Sequence, residues 1–294
     1  MTTNRGHIAG FDRRLTPARP DLAAAHLRGK VEAARFVAGE PMRVIAEAIP
    51  LRGEPSPENG YDTQALYGER LTVYDVDDEG WAYAQLARDG YVGYVSANAL
   101  APVEQAATHR VRTPRTLVYP GRSIKTPPLL ALPMLAQVSV LDIDGAFARI
   151  EAGGYVWAEH LAPLDFAEPD FVAVAERFEH APYLWGGKTW AGVDCSGLVQ
   201  IALQAAGFQA PRDTDMQAAA LGADIGPGPD FGRLQRGDLV FWKGHVGVMC
   251  DAETLLHANG HHMQVAREPL AQARARIAEK SFGEVTCVRR PGAA

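Results

Sequence analysis

The amino-acid sequence predicts a multidomain chain in which two small all-β barrels precede one α+β domain. Three observations point there. The 294 residues exceed one ordinary domain and fit two or three. Residues 42–163 carry an internal repeat of short β-type runs. Past that repeat, the apolar spacing turns helical and then returns to strand-like runs.

Composition bounds the function. A hydrophobic fraction of 47% and a charged fraction of 22% are those of a globular protein. A net charge of −6 argues against a nucleic-acid partner, which calls for clustered Lys and Arg. The opening "MTTNRGHIAGFDRRLTPARPDLAAAHLRGK" has basic residues but no apolar run of secretory length, and no segment is long enough to span a membrane. The cysteines number three: Cys195, Cys250 and Cys287. An odd count of thiols without a leader predicts a reduced, cytoplasmic compartment, no disulfide framework and no membrane partner.

Residues 1–41 read as an N-terminal extension packing on the barrels. In residues 42–102, "MRVIAEAIPLRG" and "QALYGERLTVYDVDDEGWAYAQLARDGYVGYVSANAL" alternate short strand-like runs with turns, which suits a small barrel. Residues 103–163 repeat the cycle with "RVRTPRTLVYP" and "AQVSVLDIDGAFARIEAGGYVWAEHLAP". The matching ends, "DGYVGYVSANALAP" and "GGYVWAEHLAP", mark two tandem copies rather than a solenoid. This order of glycine, aromatic residue and short strand, closing on "GYV", resembles the bacterial SH3 (SH3b) domain.

Residues 164–294 form the third expected domain, entered through the Pro- and acid-bearing "APLDFAEPD". "FVAVAERFEH" and "SGLVQIALQAAG" have helical apolar spacing, and Gly207 stands where a capping glycine ends a helix. "GDLVFW", "HVGVMC", "TLLHAN" and "VTCVRR" read as strands, so helices precede an antiparallel sheet.

The chemistry concentrates in "YLWGGKTWAGVDCSGLVQ". Asp194 is a good N-cap, which puts Cys195 in the first turn of a helix, where free N–H groups and the helix dipole favour an anion. A thiol there is expected to ionise readily. Glycines at 186, 187 and 192 let the backbone approach a substrate, and the Cys195 N–H can serve an oxyanion hole. A base is found in His245, sharing a strand face with Gly247 and Met249, and a third polar group in His257 on the next strand. A metal site of Cys195, His245 and His257 lacks any close-spaced ligand pair, so neither metal nor cofactor is expected.

Together, "PYLWGGKTWAGVDCSGLVQ", "PRDTDMQ", "RGDLVFWKGHVGVM" and "LLHANG" resemble the NlpC/P60 family of cell-wall cysteine peptidases. The resemblance implies a papain-like fold from Phe171 onward, with Cys195 as nucleophile, His245 as base and His257 as orienting residue. Two SH3b domains ahead of it resemble the γ-D-glutamyl-L-diamino acid endopeptidases, which act on murein peptides with a free N-terminal L-alanine. By that resemblance Glu69 would bind the amine beside Tyr91, while Tyr183, Asp194, Ser196 and Thr214 would line the substrate site. Thr214 stands where the family usually has serine, adding a methyl. Glu69 and Tyr91 read equally well as a turn residue and barrel core. A general peptidoglycan hydrolase with wall-targeting SH3b domains, a binding module, and an amidase or acyltransferase acting outside murein stay open as alternatives.

Overall fold

The computed structural model describes residues 10–226, 228 and 231–292. The first nine residues of the expected N-terminal extension lie outside the described residues, as do the last two of the third domain and three inside it. The chain divides into two compact units, one built from residues up to 110 with 117–159, the other from 111–116 with residues from 160 onward.

In the first unit a five-stranded antiparallel sheet runs in the order Leu100–Pro102, Glu40–Val44, Arg70–Val76, Trp81–Leu86, Val92–Ser96. A hairpin of Ala48–Leu51 and Thr63–Leu66 accompanies it. The strands are short, and Val44, Leu51, Leu71, Ala84, Leu86 and Val95 meet in a shared core. The second copy of the repeat yields another five-stranded sheet, in the order Leu130–Pro133, Arg115–Tyr119, Tyr155–Trp157, Phe147–Ile150, Val140–Asp144. Both copies contain a three-strand meander, Arg70–Val76 to Val92–Ser96 in one and Val140–Asp144 to Tyr155–Trp157 in the other. A small sheet of Ala18–Arg19, Leu22–Ala24 and Arg35–Val37 packs its Leu22 and Ala23 against Tyr74, Tyr83 and Val92 of the first barrel.

The second unit opens with helix α1, Phe171–Glu176, capped by the Asp170 carboxylate on the Val172 N–H. Helix α2, Cys195–Ala205, follows the glycine-rich loop and ends where Gly207 takes φ +87°, with the Phe208 N–H closing on the Leu203 carbonyl. Helix α3, Thr214–Ala220, had no counterpart in the sequence reading. The expected strands are β1 Leu239–Trp242, β2 His245–Met249, β3 Thr254–Asn259 and β5 Cys287–Arg290. Two elements were not expected: strand β4, Gln264–Pro269, beside β3, and helix α4, Leu270–Lys280. The antiparallel sheet runs Ala223–Asp224, β5, β1, β2, β3, β4. Helix α2 packs against β2 and β3. Leu270, Ala273 and Ile277 of α4 bury themselves on Val240, Trp242, Met249 and Leu255.

Candidate active site

Cys195 is placed by main chain and by one buried ion pair. The Asp194 carboxylate accepts the Gly197 N–H at 2.7 Å, capping α2, and the Gly186 N–H at 2.8 Å, pinning the loop. Gly186 sits at φ +76°, a conformation that favours glycine. Gly197 is the tightest point, because a Cβ there would fall 2.3 Å from the Gly187 carbonyl oxygen. Arg212, only 1% exposed, closes the arrangement by donating to Asp194 at 2.7 Å and to the Ser196 hydroxyl at 2.7 Å. Asp194 and Ser196, expected to line the substrate site, are thus both hydrogen-bonded to Arg212. Thr214, at the start of α3, lies with its hydroxyl 4.0 Å from the Cys195 sulfur.

The thiol rests neutral. Burial, and then the Asp194 carboxylate, push Cys195 up to about 11. A backbone hydrogen bond from Val246, the Thr214 hydroxyl and Arg212 pull the other way without prevailing. The ready ionisation expected from a helix start is therefore corrected: burial and the Asp194 carboxylate outweigh the groups that favour the anion. Tyr183, half-buried, has its phenol pushed up by burial and by the neighbouring Cys195 and Asp194.

His245 stands on β2, one residue before the Val246 whose backbone contacts the thiol. His245 Nε2 lies 2.8 Å from His257 Nδ1, so the hydrogen bond between the two rings engages Nε2 of His245 and leaves its Nδ1 out. Its ring stacks on Phe282 at 5.3 Å and 6° and faces Trp242, its register partner on β1. Burial, then His257 and Arg276, pull His245 down to about 3, so the imidazole of the free site is neutral at physiological pH. Gly247 makes room for His257, since a Cβ there would meet the His257 Cβ at 3.1 Å.

Two further residues complete this wall. His257 Nε2 lies 2.7 Å from Glu268 Oε1, and the same oxygen is paired with Arg276 of α4. Register explains the first contact: Glu268 on β4 faces Leu255, two residues along β3 from His257 and on the same side of the sheet. Burial works against the Glu268 carboxylate, but His257 and Arg276 prevail and hold it below the usual range. Glu268, Arg276 and Arg212 were missed at the sequence level. The apolar positions Val265 and Ala266 before Glu268, and Leu270, Ala273 and Ile277 after it, are the signal that could have found the strand and helix.

A cavity of about 330 Å³ adjoins His245 and His257 and is lined also by Tyr183, Arg276, Lys280 and Phe282. Among the described residues, His257, His262 and Glu268 bring one ligand atom each to within 4.8 Å of one another. Arg276 already sets a cation against that carboxylate, so the group is better suited to an ion pair than to a metal. In the first unit, Tyr91 belongs to the barrel core. Glu69 is buried, accepts the Leu66 N–H at 2.9 Å through Oε2, and has Arg88 Nε 3.6 Å from Oε1, which makes no hydrogen bond among the described residues.

Comparison with known proteins places these two units. The profile of the bacterial dipeptidyl-peptidase SH3 domain matches residues 51–100, and that of the NlpC/P60 family matches residues 180–280. The chain is 26% identical over 228 residues to the gamma-D-glutamyl-L-lysine dipeptidyl-peptidase of Bacillus subtilis, covering 68% of this chain and 73% of that one. It is 26% identical over 239 residues to dipeptidyl-peptidase 6 of Lysinibacillus sphaericus, covering 74% and 86%. The crystal structure of an NlpC/P60 family protein from Bacillus cereus superposes with a TM-score of 0.71 at 19% identity, over 85% of this chain and 99% of that one. With matching profiles, relatives and fold, the chain carries a bacterial SH3 domain followed by an NlpC/P60 domain.

Proposed function

We propose that the chain is a cysteine endopeptidase that hydrolyses the γ-D-glutamyl-diamino acid amide bond of murein peptides bearing a free N-terminal L-alanine, in cytoplasmic recycling of cell-wall peptides. One observation carries the reading: the Cys195 thiol, at a helix N-terminus, is hydrogen-bonded to the backbone of Val246, the residue after His245, whose buried imidazole is backed by His257. His245 Nδ1 takes the Cys195 proton as sulfur attacks the γ-carbonyl, and the oxyanion forms toward the Cys195 N–H. The imidazolium then protonates the leaving amine, and water releases the γ-glutamyl thioester by the reverse proton path.

Substrate choice is supported by the relatives' names, which specify γ-D-glutamyl-L-lysine dipeptidyl-peptidases. The Lys280 cation beside the cavity suits a carboxylate of such a peptide. The likeness of the two barrels in their strand meanders supports reading the second as a further SH3b domain. Glu69, whose buried Oε1 makes no hydrogen bond among the described residues and lies 3.6 Å from Arg88 Nε, is the carboxylate proposed to meet the alanine ammonium beside that guanidinium. No helix among the described residues is long and apolar enough to cross a membrane. Mass spectrometry of products from L-Ala-γ-D-Glu-diaminopimelate and its N-acetylated form tests the reading. Free tripeptide should be split after glutamate, the acetylated form should survive, and Cys195→Ala should be inactive; cleavage of both peptides, or turnover by Cys195→Ala, would overturn it.

A further inference from the structure

We infer that Glu268 is a positioning residue that sets the proton positions of both histidines and so makes His245 Nδ1 the free base. The inference rests on the catalytic reading above. An ionised carboxylate only accepts hydrogen bonds. With Glu268 Oε1 2.7 Å from His257 Nε2, that nitrogen must carry the proton, which leaves His257 Nδ1 as a bare lone pair. His245 Nε2, 2.8 Å from it, must then be the donor. A neutral imidazole holds a single N–H, so with Nε2 protonated His245 Nδ1 is bare and can take the Cys195 proton. One oxygen thus orders three hydrogen-bonding choices in a row, and both histidines are buried.

Arg276 gives the device its polarity. Its guanidinium pairs with the same Oε1, keeping Glu268 an anion and therefore an acceptor. Without the carboxylate, the row can run backwards: His257 donates from Nδ1, His245 accepts at Nε2, and the His245 proton moves to Nδ1, which occupies the lone pair that the proposed general base needs. The two tautomer rows have the same heavy-atom positions, so the role of Glu268 is invisible in packing and is carried by the donor and acceptor chemistry alone.

The arrangement predicts a specific pattern of losses. Glu268→Ala should lower kcat on the order of 10²-fold, the scale of general-base catalysis, with KM little changed. Glu268→Gln keeps an acceptor oxygen for both His257 and Arg276 and should recover most of that loss. In a His257→Asn background the amide oxygen accepts directly from His245 Nε2, so adding Glu268→Ala should cost less than about threefold. The direct readout is ¹⁵N NMR of histidine-labelled protein, in which wild-type His245 should show an unprotonated Nδ1 and a protonated Nε2. A wild-type His245 protonated at Nδ1 would overturn the inference, even if every Glu268 variant failed to fold. So would an equal kcat loss when Glu268→Ala is added to wild type and to the His257→Asn variant. Failure of the catalytic reading would look different, because Cys195→Ala would then retain turnover while the tautomers stood as described.

Discussion

Cys195 is held by backbone, whereas His245 is held by a row of side chains drawn from two strands and a helix. On the thiol side, one carboxylate caps α2 and pins the loop, and a single buried guanidinium completes it. On the imidazole side, His257, Glu268 and Arg276 stand behind one another across β3, β4 and α4. The thiol wall is therefore part of what folds the domain. The imidazole wall decides where protons sit. Damage to the first should appear in stability, and damage to the second in turnover.

The largest expected effect tests the thiol wall. Arg212→Met keeps an apolar stem but leaves Asp194 buried without its cation, and removing one partner of a buried pair costs about 3–5 kcal/mol. Urea unfolding should show that loss, with the glycine-rich loop becoming sensitive to proteolysis. A change under about 1 kcal/mol would mean that the hydrogen bonds from Gly186 and Gly197 hold the carboxylate unaided, and the contrast between the walls would lose its basis.

The same contrast explains what could be read from the chain. Asp194, Cys195 and the glycines are neighbours in sequence, so cap, helix start and loop follow from local rules. His245 and His257 were also within reach, since each lies on a short strand with clear alternation. Glu268 was not, because its contact with His257 depends on the register of β3 against β4, a relation between segments that no local spacing states. Arg276 reaches the site only once α4 is laid over the sheet, and Arg212 only once the segment before α3 returns to the loop. The repeat of short strands was legible because it occurs twice, and each copy yields a five-stranded sheet. The ionisation state of Cys195 was misjudged for a physical reason: the helix start was visible in sequence, but the depth of burial that offsets it was not.

A smaller effect sharpens the imidazole side. His257→Ala removes the acceptor for His245 Nε2 and should lower kcat on the order of 10²-fold, whereas His257→Asn returns an acceptor oxygen and should lose much less. KM should stay near wild type in both, since neither change alters the loop around Cys195. Steady-state kinetics on the tripeptide separates these outcomes. Equal losses for the two variants would reduce His257 to a space-filling role.

The smallest effect is one of acidity, and it assigns pH sensitivity to one wall alone. Burial, then His257 and Arg276, lower His245 to about 3, against about 6.5 for a histidine in an unfolded chain. Between these values the unfolded chain binds a proton that the folded chain refuses, so stability falls as pH drops from 6.5 toward 3, and nothing is lost above 6.5. From pH 7 to pH 5 this one group should withdraw about 2 kcal/mol. His257, lowered chiefly by burial, adds to the loss with the same sign. Cys195, pushed up to about 11, stays a thiol throughout this range in the folded protein, as an ordinary cysteine does in the unfolded chain, so it contributes nothing. Urea midpoints at pH 7 and pH 5 should therefore differ less in His245→Gln than in wild type by roughly that 2 kcal/mol, while Cys195→Ala should follow wild type. A Cys195→Ala variant that lost the pH dependence would place a thiolate–imidazolium pair in the resting site, and the neutral pair on which the division of labour depends would be wrong.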